Sequence, residues 1–204
     1  MSYSVVDIFD TIQGEGARAG TRAIFCRLAG CNLWDGLEAH RERGKGACGR
    51  WCDTDFAKGD PHTAEAIVER MDRLWPMPSN EDELRWCVLT GGEPMLQVDW
   101  PLVDALLTAG WRIAIETNGT LDPDDGKLLD AIDHITISPK IGAPLARRRG
   151  TELKVVLQGV VGTDDGEGWS DEDLDRMTRE GVWDACFVQP QDPILPSRVG
   201  ASYL

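Results

Sequence analysis

The chain has 204 residues and six cysteines, with 35 acidic against 21 basic side chains and a formal charge of −14. That length suits one domain, residues 1–204, with a core that needs no disulfide staples. The acidic balance excludes a protein that works by neutralising many phosphates, so nucleic acid is not an expected partner. No apolar run approaches the ~20 residues of a membrane span, and Met1-Ser-Tyr-Ser-Val-Val-Asp-Ile lacks the basic and apolar regions of a signal peptide. A cytoplasmic protein with no membrane partner is the expectation.

In chain order, Ala23 to Leu28 reads as a strand, followed by a long loop rich in Cys, Gly, Asn and Asp. Thr63 can cap a helix whose apolar stripe is Ile67, Val68, Met71 and Leu74. Trp86 to Thr90 is a short apolar strand ending at Gly91-Gly92. Asp99 caps the next helix, with Pro101 in its first turn, Leu102, Val103, Leu106 and Leu107 on one side, and Gly110 as its stop. Trp111 to Glu116 is a strand, Leu128 to Ile132 a helix, His134 to Ser138 and Glu152 to Leu157 strands. Asp171 to Glu180 is helical and Trp183 to Val188 a last strand. The acidic runs at Asp122 and Ser170 read as helix starts, where carboxylates complement the macrodipole. Arg147 and the two arginines after it read as solvated surface. Strands alternating with helices at this spacing predict an α/β fold with parallel strands and right-handed crossovers.

In a cytoplasmic chain the cysteines call for burial or metal binding rather than disulfides. Cys26, Cys87 and Cys186 lie in strand segments, where a buried thiol behaves as a small hydrophobe. Cys31, Cys48 and Cys52 lie in the polar loop and are the candidate ligands. Three thiolates can hold three irons of a cubane and leave the fourth open to a small chelating molecule. A structural zinc with His40 as its fourth ligand fits the spacing equally well. Position adds a second observation. Cys31, Gly91-Gly92-Glu93, Glu116-Thr117-Asn118, Ser138-Pro139-Lys140 and Gln189-Pro190 each follow the C-terminal end of a strand, the edge where parallel α/β sheets bind ligands.

The segments Thr11-Ile-Gln-Gly-Glu-Gly, Phe25-Cys-Arg-Leu-Ala-Gly-Cys-Asn-Leu-Trp, Trp51-Cys-Asp-Thr-Asp-Phe, Thr90-Gly-Gly-Glu-Pro-Met-Leu-Gln, Glu116-Thr-Asn-Gly, Ser138-Pro-Lys and Gln189-Pro occur in that order. Together they resemble the 7-carboxy-7-deazaguanine synthase family of radical S-adenosylmethionine enzymes. The resemblance implies an incomplete (β/α) barrel of the radical type, with a long cluster-binding loop after the first barrel strand. It implies a [4Fe-4S] cluster on Cys31, Cys48 and Cys52, and S-adenosylmethionine held by Trp51, Cys52, Asp53, Gly92, Ser138, Pro139, Lys140, Gln189, Pro190, Gln191 and Asp192. Gly92 would let the backbone close on the methionine end of the cofactor. Thr54 corresponds to a Mg²⁺ ligand, and Ile12, Gln13, Gly14, Arg27 and Thr90 to contacts of a carboxylated tetrahydropterin substrate, with Glu15 and Glu116 as further polar contacts. The Arg27 guanidinium would pair with the substrate carboxylate. The implied reaction is the ring contraction of 6-carboxy-5,6,7,8-tetrahydropterin to 7-carboxy-7-deazaguanine, with loss of ammonia, in queuosine and 7-deazapurine biosynthesis. A flavodoxin- or ferredoxin-type electron donor and a homodimer are implied too. Other readings are a different radical enzyme, such as a glycyl-radical activating enzyme, a cluster-binding homologue impaired in catalysis, and a zinc-stabilised domain.

The chain departs from that pattern in two places. The radical enzymes commonly carry Cys-x3-Cys-x2-Cys, whereas sixteen residues separate Cys31 from Cys48 and three separate Cys48 from Cys52. The stretch Glu38 to Arg43 can fold as an added helical turn in the longer gap. Past Gln189-Pro190 the family's closing segment has no full counterpart before Leu204, so a shortened C-terminal segment is expected.

Overall fold

The computed structural model describes residues 1–44, 48, 52–76, 84–123, 125–157 and 168–190. Its strands are β1 (Tyr3–Ile12), β2 (Arg22–Leu28), β3 (Asp60–His62), β4 (Arg85–Gly91), β5 (Trp111–Thr117), β6 (His134–Ile137), β7 (Arg149–Leu157) and β8 (Val182–Pro190). They form one sheet in the order β3-β1-β2-β4-β5-β6-β7-β8. Every pairing from β2 to β8 is parallel, while β1 runs antiparallel to both β2 and β3. The sheet is open, with β3 and β8 at its edges among the described residues. No helix in those residues is long and apolar enough to cross a membrane.

Helices α1 (Ala64–Leu74), α2 (Trp100–Thr108), α3 (Gly126–Asp130) and α4 (Asp171–Glu180) start where side-chain oxygens wait for orphan N–H groups. Thr63, Asp99, Asp125 and Ser170 each accept a backbone N–H of the first turn, at 3.0–3.2 Å. Expected and observed helices agree except at α3, which begins two residues early and ends at Asp130, so Ile132 packs from beyond it. The 3₁₀ turn at Glu38–Arg43 is present.

Strand β1 was not anticipated, and its bulge explains why. The register shifts between Val5 and Asp7, so the buried residues run Tyr3, Val5, then Ile8, and the two-residue alternation that marks a strand slips by one.

All four helices cover the same face. Ile24, Leu28, Leu89, Ile113, Ile115, Ile137 and Leu153 pack there against Ile67, Met71, Leu102, Leu106, Leu128 and Met177. Each such burial contributes about 1.5–3 kcal/mol. Cys26 and Cys87 belong to this layer, and burial pushes the Cys26 thiol up to about 12. Side chains alternate across a strand, so the intervening residues meet on the opposite face. Low on that face lies a small cluster of Ala23, Val88 and Ala114 with Phe25 and Trp86. One register step or more above it come Arg27 opposite Thr90, Glu116 opposite Thr136, and Thr136 opposite Glu152.

Two expectations fail. Arg147 is not solvated: it is buried, its backbone N–H donates to Gly119 O at 2.9 Å, and its guanidinium donates to Asp122 Oδ1 at 2.8 Å. The segment after β6 folds back on the turn after β5 and takes the arginine with it. Cys186 is exposed rather than buried, because β8 is an edge strand with no fully buried residue.

Candidate active site

The site begins where β2 and β4 end together. Gly92 N–H donates to Leu28 O (3.2 Å), and Glu93 N–H donates to Gly30 O (2.9 Å), so the turn after β4 is sewn to the start of the cysteine loop. Gly91 has φ +137°, outside the range of ordinary residues, and a Cβ on it would stand 2.0 Å from Leu28 O. A Cβ on Gly92 would stand 2.1 Å from Gly30 O and 3.0 Å from the Cys31 Cβ. The second glycine is therefore required by the packing of two backbones.

Behind this turn Glu93 is fully buried and receives three donors. Its Oε1 accepts the Met95 N–H (2.9 Å) and the Thr117 hydroxyl (2.7 Å), and its Oε2 accepts the Asn118 N–H (2.7 Å). Burial pushes its pKa up, against the lowering effect of these hydrogen bonds. Asn118 in turn donates to Asn32 Oδ1 (3.1 Å), next to Cys31 in the chain. One carboxylate thus locks the ends of β4 and β5 beside the first cysteine.

Cys52 N–H donates to Cys48 O at 3.0 Å. That bond draws the second and third cysteines together although three residues separate them. The Cys48 thiol donates to Cys52. That hydrogen bond lowers the Cys52 pKa and raises that of Cys48, while burial raises that of Cys31. The Cys31 sulfur accepts the Leu33 N–H at 3.4 Å.

All three cysteines line one cavity of about 420 Å³. All five strand-end segments picked out in the sequence line it as well, represented by Cys31, Gly92, Glu116, Ser138 with Pro139 and Lys140, and Gln189 with Pro190. Lys140 Nζ donates to Ser138 Oγ at 2.9 Å, and burial lowers its pKa. Asp53 and Thr54 sit at the rim, with the Thr54 hydroxyl 3.4 Å from Asp53 Oδ1. Glu15, Glu116 and Lys154 line the same cavity and form a second wall of it. Lys154 Nζ lies 2.6 Å from Glu15 Oε2 and 3.8 Å from Glu116 Oε1. Glu116 also accepts from Gln13 Nε2 (2.8 Å) and Thr90 Oγ1 (3.3 Å).

No protein-family model matches the chain. Among curated proteins, the 7-carboxy-7-deazaguanine synthase of Burkholderia multivorans is 51% identical over 163 residues, covering 77% of this chain and 72% of the relative. That of Bradyrhizobium diazoefficiens is 44% identical over 204 residues, covering 94% and 93%. The chain belongs to the 7-carboxy-7-deazaguanine synthase family. Among solved structures, the crystal structure of QueE from Escherichia coli superposes with a TM-score of 0.65 at 25% identity, over 94% of this chain and 85% of that one.

The residues that the family resemblance implied fall into three groups. Cys31, Cys48, Cys52, Asp53, Thr54, Thr90, Gly92, Glu15, Glu116, Ser138, Pro139, Lys140, Gln189 and Pro190 line the cavity. Ile12, Gln13, Gly14 and Arg27 do not line it. Gln13 is bonded to Glu116, Arg27 lies at the level of Thr90 with its guanidinium 6.0 Å from the Phe9 ring centroid, Ile12 is exposed, and nothing crowds the space beside Gly14. Trp51, Gln191 and Asp192 lie outside the described residues. His40, the fourth ligand of the zinc reading, is engaged at 2.5 Å by Asp35. Among the described residues no three His, Cys, Asp or Glu side chains converge as ligands of a single metal ion.

Sequence reasoning missed Lys154 and Glu152. Their signal was in the strand Glu152-Leu153-Lys154-Val155, where two charges alternate with two core residues. Both charged side chains are nevertheless buried, which marks a second enclosed face rather than solvent.

Proposed function

We propose that this chain is a radical S-adenosylmethionine enzyme that converts 6-carboxy-5,6,7,8-tetrahydropterin to 7-carboxy-7-deazaguanine with release of ammonia. The observation that carries the reading is the meeting, in one cavity, of a three-cysteine loop with an acid–lysine wall built by other strands. Membership in the 7-carboxy-7-deazaguanine synthase family supports it. We read the open sheet as an incomplete barrel of the radical type and residues 1–204 as one domain.

The donor set fits a [4Fe-4S] cluster. Cubane thiolates bind separate irons, so Cys31, Cys48 and Cys52 need not converge on one ion, and none of the wall residues competes as a thiolate. When bound, the cluster and S-adenosylmethionine supply the one-electron cleavage that starts hydrogen abstraction from the substrate. The protein's own part is placement. Gly91 and Gly92 bring the ends of β2 and β4 into backbone contact beside Cys31. Lys140 and Ser138 offer an ammonium and a hydroxyl to the cofactor's carboxylate end. Thr54, with an oxygen donor at the rim, suits Mg²⁺, which takes oxygen ligands and retains waters. Arg27, level with Thr90, would pair with the substrate carboxylate. A homodimer, a flavodoxin- or ferredoxin-type donor and a cytoplasmic location complete the reading.

Anaerobic reconstitution with iron and sulfide, then incubation with the carboxytetrahydropterin, S-adenosylmethionine, Mg²⁺ and a reductant, tests it. The expected products are 5′-deoxyadenosine and 7-carboxy-7-deazaguanine. Appearance of the first without the second would remove the synthase assignment. Cys52→Ala should lose iron and the visible charge-transfer band, while Arg27→Ala should keep both and lose turnover.

A further inference from the structure

The loop joining β1 to β2 is closed by its own backbone, with Gln13 N–H donating to Thr21 O and Gly20 N–H donating to Gln13 O, both at 2.8 Å. A hairpin loop needs no more than that to hold its shape. This loop nonetheless reaches across the face away from the helices to three other strands. Arg18 stacks on Trp86 of β4, its guanidinium 3.1 Å from the ring centroid, and Gln13 donates to Glu116 of β5.

The most buried attachments belong to β7. Glu152 accepts the Ala17 N–H (2.8 Å) and the Thr136 hydroxyl (2.9 Å), with His134 Nε2 at 3.5 Å. Gly16, at φ +65°, presses so closely on that carboxylate that a Cβ would stand 2.3 Å from Oε1. Two residues on, Lys154 sits between Glu15 of the loop and Glu116 of β5, and it is itself buried. Two carboxylates facing one cavity repel each other, and a cation between them lets both stay ionised and oriented. Burial alone would lower the Lys154 pKa. Glu116 and Glu15 outweigh burial and the net shift is upward, so the side chain remains a cation.

We propose that Lys154 is a positioning residue, seconded by Glu152, that straps the Gln13–Arg18 loop to the sheet face beside the cavity and holds Glu15 and Glu116 as paired acceptors for the N–H groups of the substrate's aminopyrimidinone ring. The proposal rests on the pterin reading of the site. It adds the element that aims the acceptors, and it makes β7 part of substrate recognition although none of the family motifs falls on that strand.

The test compares wild type, Lys154→Gln, Lys154→Arg, Glu152→Gln and Gly16→Ala, each reconstituted with its cluster. Lys154→Gln should keep iron content and a cooperative unfolding transition, with some loss in its midpoint, and raise KM for the carboxytetrahydropterin on the order of ten- to a hundredfold, the size of effect that supporting contacts have on the groups they orient. KM for S-adenosylmethionine should not change. Lys154→Arg should restore much of the loss. Glu15→Gln combined with Lys154→Gln should cost little more than the worse single change, because the lysine acts through that glutamate. Amide hydrogen exchange of residues 13–18 should quicken in Lys154→Gln, Glu152→Gln and Gly16→Ala while β4 and β5 stay protected. Unchanged loop exchange, or an unchanged pterin KM in Lys154→Gln, overturns the proposal. If wild type yields 5′-deoxyadenosine but no deazaguanine, the synthase reading falls, and the exchange measurement still decides whether the strap exists.

Discussion

The two walls of the cavity are built by opposite means. The cysteine wall is backbone against backbone: the ends of β2 and β4 touch through Gly91 and Gly92, and a fully buried Glu93 gathers three donors behind them. The other wall is charge against charge, with Glu15, Glu116 and Lys154 drawn from a loop and two strands, Glu152 anchoring the same loop, and the pair still partly open at Glu15. Close packing tolerates no added atom, whereas an ion pair that keeps some solvent adjusts its length. The difference separates a wall whose spacing is fixed from one that can give.

The largest effect should come from the rigid wall. Gly92→Ala places a methyl group 2.1 Å from a backbone oxygen, and an overpacked site of this kind costs about 3 kcal/mol. Urea unfolding should show that loss, with iron content falling alongside. Retention of both would mean that the strand ends part easily and that the walls differ less than proposed. Glu93→Gln comes next. The amide keeps one accepting oxygen and puts a donating NH2 where the other stood, so at least one of the Thr117, Asn118 or Met95 donors is left unpaired, at about 2 kcal/mol in the same measurement.

On the charged wall the effect should depend on pH. Burial raises the Glu152 pKa, but His134, Ala17 N–H and Thr136 together lower it further, so the net shift is downward. A carboxylate with a depressed folded pKa adds stability above its ordinary value of about 4.3, and that contribution is lost as pH falls through the folded value. Wild type should therefore lose stability between neutral pH and the acid side of about pH 4. Glu152→Gln should begin lower and fall less over the same range. An equal acid-side slope in both proteins would remove Glu152 as an anchor. The smallest effect sets the baseline: Arg179→Ala breaks an exposed pair with Asp175, one helical turn away, and should cost no more than about 0.5 kcal/mol.

The rigid wall was largely legible in the sequence; of the charged wall, Glu15 and Glu116 were reached through the family resemblance, while Lys154 and Glu152 were not. Gly91-Gly92 after an apolar strand, cysteines in a polar loop, caps at Thr63 and Asp99, and the acidic helix start after Ser170 are signals contained within a few residues, and the structure bears out the turn, the caps and the start. The bulge in β1 erased a local alternation and hid that strand. Arg147 looked solvated because its run is charged, and only the fold-back onto Gly119 and Asp122 buries it. Cys186 looked buried because its strand is apolar, and only its place at the sheet edge exposes it.

By itself the sequence determined the alternation of strands and helices, the sheet edge at which polar segments gather, and the three cysteines of the loop, because capping, side-chain periodicity and turn chemistry act over one or two turns of chain. Only the tertiary structure decided what the second face of each strand does. Glu15 meets Lys154 across 139 positions of sequence. Sheet order and register, properties of strands that are distant in the chain, bring those charges together, and no local pattern contains them.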